Sequence, residues 1–417
     1  MDWLPARLSR EFCAGLDVED PFSRLRDRFL LPEGLIYLDG NSLGPLQKGV
    51  GDRLRTTLEA EWGKDLISSW NLHGWFDLPR KVGERLARLV GAEAGSVIVG
   101  DTISVDLFKL LGAALALKPD RKVILSDTGN FPSDLYIAQG VKTFLDRGHE
   151  LRLVEPEQVE HALDGSIAVL MLTEVDYRTG RLHDMARLTA KAHAAGALTI
   201  WDLAHSAGAI PVDLSGAGAD FAVGCTYKFL NGGPGAPAFL YVRPGLQERI
   251  STPLAGWWGH AAPFAFDLDY RPASGIARMQ CGTQPVLSLA ALDAALDVWQ
   301  EVDMPALAAK ARRLCGLFIR LIEDSCARHG LALAGPRDLA RRGSQVSFRC
   351  PEGYAVIQAL IANGVVGDFR APDIIRFGVA PLYTRYVDIW DAATTLARVL
   401  DERLWDTPAF RARKPVT

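Results

Sequence analysis

Asp202-Leu203-Ala204-His205 and, after a second apolar run, Cys225-Thr226-Tyr227-Lys228-Phe229-Leu230-Asn231-Gly232-Gly233-Pro234-Gly235 are the stretches from which the rest of the chain can be read. Residues 196–202 are apolar almost to the last, where Asp202 stands; such a run suits a strand buried on both faces with an acid at its carboxyl end. Residues 220–225 form the next strand, and Lys228 follows it between Tyr227 and Phe229, ahead of a glycine-rich turn. Alone, Asp202 reads as a helix cap and Lys228 as a solvated loop residue. Together, and in apolar surroundings where a spare charge is rarely placed, they read as a chemical pair. Burial lowers the pKa of a lysine and favours the neutral amine, the form that attacks a carbonyl.

The pair meets the needs of pyridoxal 5'-phosphate. That cofactor requires a lysine amine to bond its aldehyde and an acid to keep its ring nitrogen protonated, because the ring withdraws electrons only while that charge persists.

Bulk properties narrow the classes. The 417 residues, 48% hydrophobic, suffice for a large core and by length divide into two domains. A formal charge of -4 with scattered Lys and Arg argues against a nucleic-acid partner. No apolar run reaches the roughly 18 residues of a membrane span, and the first residues lack a signal-peptide layout. Cysteines at 13, 225, 281, 315, 326 and 350 show no CxxC spacing and no metal pattern. They read as reduced thiols of a cytoplasmic protein, with no metal expected.

Strand-like and helix-like segments alternate through the middle of the chain. Residues 96–100, 122–126 and 166–173 read as strands, 105–117 and 184–195 as helices, the latter leading to the strand that ends at Asp202. This rhythm predicts an α/β fold, a mostly parallel sheet with helices on both faces, and ligands beyond the carboxyl ends of its strands. Thr102, Ser126, Thr173, Asp202 and Lys228 all fall at or past such ends. Beyond Gln284 the pattern changes: helices over 286–302 and 304–329, a strand over 345–350, a helix over 354–363 and a strand over 374–378. The expected division is a large cofactor-binding domain over 56–284 and a smaller α+β domain built from 1–55 and 285–417.

The chain resembles the kynureninases, pyridoxal-phosphate enzymes of the aspartate-aminotransferase fold (fold type I). The resemblance runs through nearly the whole length. It begins at Leu38-Asp39-Gly40-Asn41-Ser42-Leu43-Gly44-Pro45 and continues through Phe131-Pro132-Ser133-Asp134, Asp202 with His205, Tyr227-Lys228 and Gly256-Trp257-Trp258-Gly259-His260. It closes on Arg376-Phe377-Gly378-Val379-Ala380-Pro381-Leu382-Tyr383. Asp-x-x-His followed by a lysine is shared widely; the Phe-Pro-Ser-Asp and Gly-Trp-Trp-Gly-His stretches are more specific.

The resemblance implies a site. Phe131, next to Pro132, stacks on the cofactor ring or else packs in the core. Ser133, Ser104 and the backbone near Ile103 bind phosphate at a helix start, where free amides favour an anion, although Ser104 also suits a helix cap. Asp202 meets the pyridine nitrogen, with Asp134 a second acid nearby. Thr173 and His205 bind the ring's polar edge. Tyr227, Trp257 and Thr283 carry over as phosphate and site contacts, and Tyr227 is also a candidate proton donor beside the lysine. Arg376 suits a two-pronged grip on a substrate α-carboxylate. Trp70, or alternatively His73, touches the substrate's aromatic ring.

The implied reaction is hydrolysis of L-kynurenine to anthranilate and L-alanine in tryptophan degradation, with Lys228, Tyr227 and Asp202 as catalytic residues and a homodimer as the working unit. Rivals are a cysteine desulfurase, for which Cys350 is the candidate nucleophile, an aminotransferase, and a non-catalytic binding protein that would have lost Lys228 or Asp202.

Overall fold

The computed structural model describes residues 3–413. Among them, seven strands form the central sheet: β1 (Val97–Val99), β2 (Val123–Asp127), β3 (Glu150–Val154), β4 (Ile167–Thr173), β5 (Leu198–Asp202), β6 (Phe221–Gly224) and β7 (Phe239–Val242). Their order is β1-β7-β6-β5-β4-β2-β3, and β7 alone runs against its neighbours.

Alternate residues of each strand enter opposite cores. Val99, Leu125, Leu172, Trp201 and Ala222 belong to one apolar cluster, whereas Ile98, Ile124, Met171, Ile200 and Phe221 belong to the other. Burial on both faces is why these strands read as unbroken apolar runs. Helices α1 (Leu78–Leu89) and α4 (Met185–Ala194) cover the first face, and α2 (Ile103–Leu117) and α3 (Pro132–Leu145) the second. A truncation such as Phe221→Ala, at a fully buried ring, costs about 3–5 kcal/mol. Edge strand β3, with Glu150 and Arg152 and no fully buried residue, carries no such signature, and sequence reading passed over it.

The smaller sheet has the order β10-β11-β9-β8, from β8 (Ala332–Leu333), β9 (Gln345–Arg349), β10 (Asp368–Arg370) and β11 (Ile374–Gly378), all antiparallel. Its core joins Val346, Phe348 and Phe377 to Leu314 and Phe318 of the long helix α6 (Met304–Cys326), to Val356 of α7 (Gly353–Ala362) and Leu396 of α8 (Tyr386–Asp401), and to Cys13, Leu16 and Leu38 near the N-terminus.

Core membership does not change at residue 285, the expected boundary. Helix α5 (Val286–Ala295) and the turn after it place Leu289, Leu292, Leu296 and Trp299 in the large-domain core. Phe22, Leu25 and Phe29 are there as well, so residues 1–55 do not all join the small domain. The changeover falls inside α6, between Leu307 in one core and Leu314 in the other. An apolar helix shows in its sequence that it is buried, but not against which domain.

Candidate active site

Lys228 stands in the turn beyond β6 rather than on the strand. The turn is held from within: Thr226, fully buried, donates through Oγ1 to the Pro237 carbonyl at 2.6 Å, and Gly232 N–H donates to the Thr226 carbonyl at 2.8 Å. Asn231, at φ 59°, turns the chain and donates its N–H to the Lys228 carbonyl at 2.9 Å. Lys228 Nζ lies 3.0 Å from His205 Nε2 and about 6 Å from the Phe131 and Tyr227 ring centres (6.0 and 5.8 Å).

Around it lies a cavity of about 270 Å³, lined in part by Ile103, Ser104, Phe131, Ser133, Asp134, Thr173, Asp202, His205 and Tyr227. Asp202 ends β5 as expected. Its Oδ1 accepts from Ala204 N–H at 2.8 Å, while its Oδ2 has only Thr173 Oγ1 at 3.5 Å. Burial raises the Asp202 carboxyl and the Lys228 charge opposes that rise. Asp134, fully enclosed beside it, is pushed well above the ordinary carboxyl range by burial and by the Asp202 charge. Of the two acids, Asp134 is the more strongly raised and Asp202, opposed by the Lys228 charge, the less. His205 is driven well below the ordinary imidazole value by burial and by Lys228, so it is neutral and accepts from the lysine. Burial raises the Tyr227 phenol, which keeps its proton and can only donate it.

At the far end of the cavity two helices begin. The N-termini of α2, at Ile103 and Ser104, and of α3, at Pro132 and Ser133, converge until Ser104 Oγ and Ser133 Oγ are 3.2 Å apart. Thr102, not Ser104, caps α2, accepting from Val105 N–H at 3.4 Å. Both serine hydroxyls are thus placed for a phosphate between two positive helix ends. Phe131, which lines the cavity, is 40% exposed as a residue. These residues fit pyridoxal phosphate: a dianion seat, an aromatic side chain on the cavity wall, a carboxyl group with a nearly free oxygen, and an amine.

Other expected residues lie elsewhere. Trp257, 41% exposed, packs edge-on to Trp258 at 4.5 Å, and Thr283 borders a separate cleft with Asp101, Asp106 and Lys109. Trp70 meets Trp75 edge-on and Trp258 at a tilt of 49°, and His73 pairs with Asp65 at 2.8 Å. None of these lines the lysine cavity of a single chain. Ser126 lies within β2, its hydroxyl donating to the Met171 carbonyl. Arg376 sits in the middle of β11, not at a strand end, and its two-pronged partner is Asp368, directly opposite on β10. Cys350 is 3% exposed with its thiol pushed up to about 11 by burial, a poor nucleophile.

Three contributors escaped sequence reading. Asn130 accepts from Thr173 Oγ1 and from Phe131 N–H, tying two cavity residues together. Tyr177 lines the cavity, meets Phe131 edge-on at 5.1 Å and offers its carbonyl to Arg376 Nη1. Asp368 is visible only once strand register is known, because its partner lies on the next strand.

The class follows from architecture and site together: a fold-type-I pyridoxal-phosphate enzyme. An apo cysteine desulfurase from Thermococcus onnurineus NA1 shares the fold at a TM-score of 0.76 and 19% identity, over 91% of this chain and 98% of that one. A variant of C-DES with glycine covalently linked to its PLP cofactor matches equally well, with a TM-score of 0.76 at 17% identity, over 94% and 99%. Full-length similarity is narrower. Kynureninase of Pseudomonas fluorescens is 52% identical over 414 residues, 98% of this chain and all of that one, and kynureninase of Burkholderia pseudomallei strain 1106a is 53% identical over the same span. Residues 307–396 match the family described as Kynureninase C-terminal domain. The chain belongs to the kynureninase family.

Proposed function

We propose that this chain hydrolyses L-kynurenine to anthranilate and L-alanine by Cβ–Cγ cleavage, as a homodimer and as a step of tryptophan degradation. The observation that carries this reading is the meeting, in one cavity of a kynureninase-family chain, of Lys228 Nζ, the Asp202 carboxylate and two serine-bearing helix ends. Bound there, pyridoxal phosphate supplies the electron sink for breaking Cα–H and then Cβ–Cγ.

The chain's own residues divide the work. Lys228 Nζ would hold the cofactor's aldehyde, and as a free amine it would take the Cα proton. Neutral His205, 3.0 Å away, leaves that amine without a competing positive charge. Asp202 keeps the proton on the ring nitrogen while Thr173, fixed by Asn130, holds the ring's edge. With water added to the Cγ carbonyl, the Cβ–Cγ bond breaks, the aryl acyl group leaves as the carboxylic acid anthranilate, and Tyr227, which keeps its phenolic proton, delivers it to Cβ. Arg376 offers the α-carboxylate the one N–H donor that Asp368, Ser42 and Tyr177 leave unused.

A second copy supplies the rest. Trp257 and Thr283 are exposed on the single chain, which suits donation to a partner's cavity, and Trp70, packed on Trp258, belongs with them more naturally than His73. An apolar groove of about 680 Å³, lined by Leu30, Leu46, Leu58 and Leu287 among others, gives such a copy a surface to cover. Among the described residues no helix is long and apolar enough to cross a membrane, and the six cysteines are free. Residence in the reducing cytoplasm is part of this reading.

The test is purified protein with pyridoxal phosphate and L-kynurenine. Anthranilate and L-alanine in equal amounts support hydrolysis; amino-group transfer to a keto acid, or sulfur release from cysteine without anthranilate, supports a rival.

A further inference from the structure

Arg376 has little left to offer a substrate. Of its five N–H donors, Nε donates to Asp368 Oδ1 at 2.8 Å, Nη2 donates to Asp368 Oδ2 and to Ser42 Oγ at 3.0 Å, and Nη1 donates to the Tyr177 carbonyl at 2.5 Å. One donor remains, on a side chain 2% exposed. A bidentate grip needs two.

Arg370 stands beside it. It shares the same anchors: Nη2 lies 2.8 Å from Asp368 Oδ2 and 3.3 Å from Ser42 Oγ, and Nη1 donates to the Phe369 carbonyl at 3.0 Å. Two donors, Nε–H and one on Nη1, are not used by these contacts, and the side chain is 33% exposed. Ser42 Oγ, donating to Asp368 at 2.7 Å, sits between the two guanidinium groups. Both arginines act electrostatically on Tyr177 and His205, which line the lysine cavity. Two guanidinium groups face the one buried carboxylate of Asp368, and burial together with the Asp368 charge pushes the nearby Asp39 carboxyl up to about 8.

We propose that Arg370 is a second binding residue for the substrate's α-carboxylate, gripping it together with Arg376 while Asp368 and Ser42 hold the two guanidinium groups in place. This rests on the kynurenine reading and assigns the carboxylate of that substrate to a two-arginine seat.

The test compares inhibition of the holoenzyme by L-alanine, which carries the carboxylate, and by L-alaninamide, which does not. Arg370→Gln weakens L-alanine by about tenfold or more, the worth of a charge-assisted hydrogen bond, and changes L-alaninamide less than about twofold. The Michaelis constant for kynurenine rises more than kcat falls. Equal weakening of both inhibitors, or of neither, overturns the proposal, because a merely structural arginine does not discriminate between them. If Arg370→Gln does not fold, Arg370→Lys reads the same ratio; a ratio unchanged from the parent overturns the proposal equally. Arg376→Gln is measured alongside. Loss of discrimination there but not at Arg370 refutes the second arginine alone, whereas full discrimination in both variants refutes the placing of the carboxylate at this end of the site.

Discussion

Gly44 seats the turn that carries Lys228: a Cβ on Gly44 would stand 2.4 Å from the Lys228 carbonyl oxygen and 2.3 Å from Asn231 Oδ1. Its N–H donates to the neighbouring Tyr227 carbonyl at 2.8 Å. The N-terminal stretch around Ser42 thus touches both the lysine turn and the arginine pair, which explains why a segment remote in sequence shares the family pattern.

Gly44→Ala therefore displaces the lysine turn. The strain, about 1–3 kcal/mol, is expected to lower cofactor affinity by about tenfold or more. Gly51→Ala, where an added Cβ meets nothing within 4 Å, is the control and leaves affinity unchanged. Dialysis followed by the visible absorption of lysine-bound cofactor measures both.

Asp202→Asn is expected to retain cofactor yet lose about 10²–10⁴ in kcat, since a neutral amide cannot hold the ring-nitrogen proton. Wild-type kcat in Asp202→Asn would move the role to Asp134.

The cavity was legible in the sequence where chemistry and strand ends coincide. Thr102, Thr173, Asp202 and Lys228 stand at or past the ends of apolar runs, so pattern places them near one another, although it also pointed to Ser126, which does not line the cavity; His205, Tyr227, Ser104 and Ser133 came with the family resemblance. Trp257, Thr283 and Trp70 were not placed by that logic, because loops and irregular helices fix them. The Asp368–Arg376 pair depends on antiparallel register, which no local pattern reveals. Core membership is hidden for a related reason: α6 is one continuous amphipathic helix that serves two cores.

Glu174 follows Thr173 and is 6% exposed, with Oε2 lacking a hydrogen-bond partner; burial raises its carboxyl to about 7. A raised folded-state pKa stabilises the fold below the unfolded value, 4.5, and that contribution is lost as pH rises through about 7. Glu174→Gln should match wild type near pH 5 and gain on it by about 2–3 kcal/mol at pH 8, since each tenfold difference in proton affinity between the folded and unfolded chain is worth roughly 1.4 kcal/mol. Thermal midpoints across that range check this. A constant difference with pH would show that the carboxyl does not titrate in the fold.

The proposed homodimer, with each site completed by its partner, predicts complementation. Lys228→Ala and Trp257→Ala, each inactive or nearly so alone, should regain up to about a quarter of wild-type activity when unfolded and refolded together, since half the dimers are mixed and each mixed dimer has one intact site. No recovery, with mixed dimers verified by mass, would place Trp257 in its own chain's site or outside both.

The central claim is that kynurenine is cleaved at Lys228. Its most direct measurement is anthranilate release from L-kynurenine by the wild type and by Lys228→Ala, both saturated with pyridoxal phosphate. The account predicts anthranilate and L-alanine in equal amounts from the wild type and a loss of at least roughly 10³ in the variant, which lacks both attachment point and proton acceptor. Near-normal anthranilate release from Lys228→Ala, or none from the wild type, would contradict it.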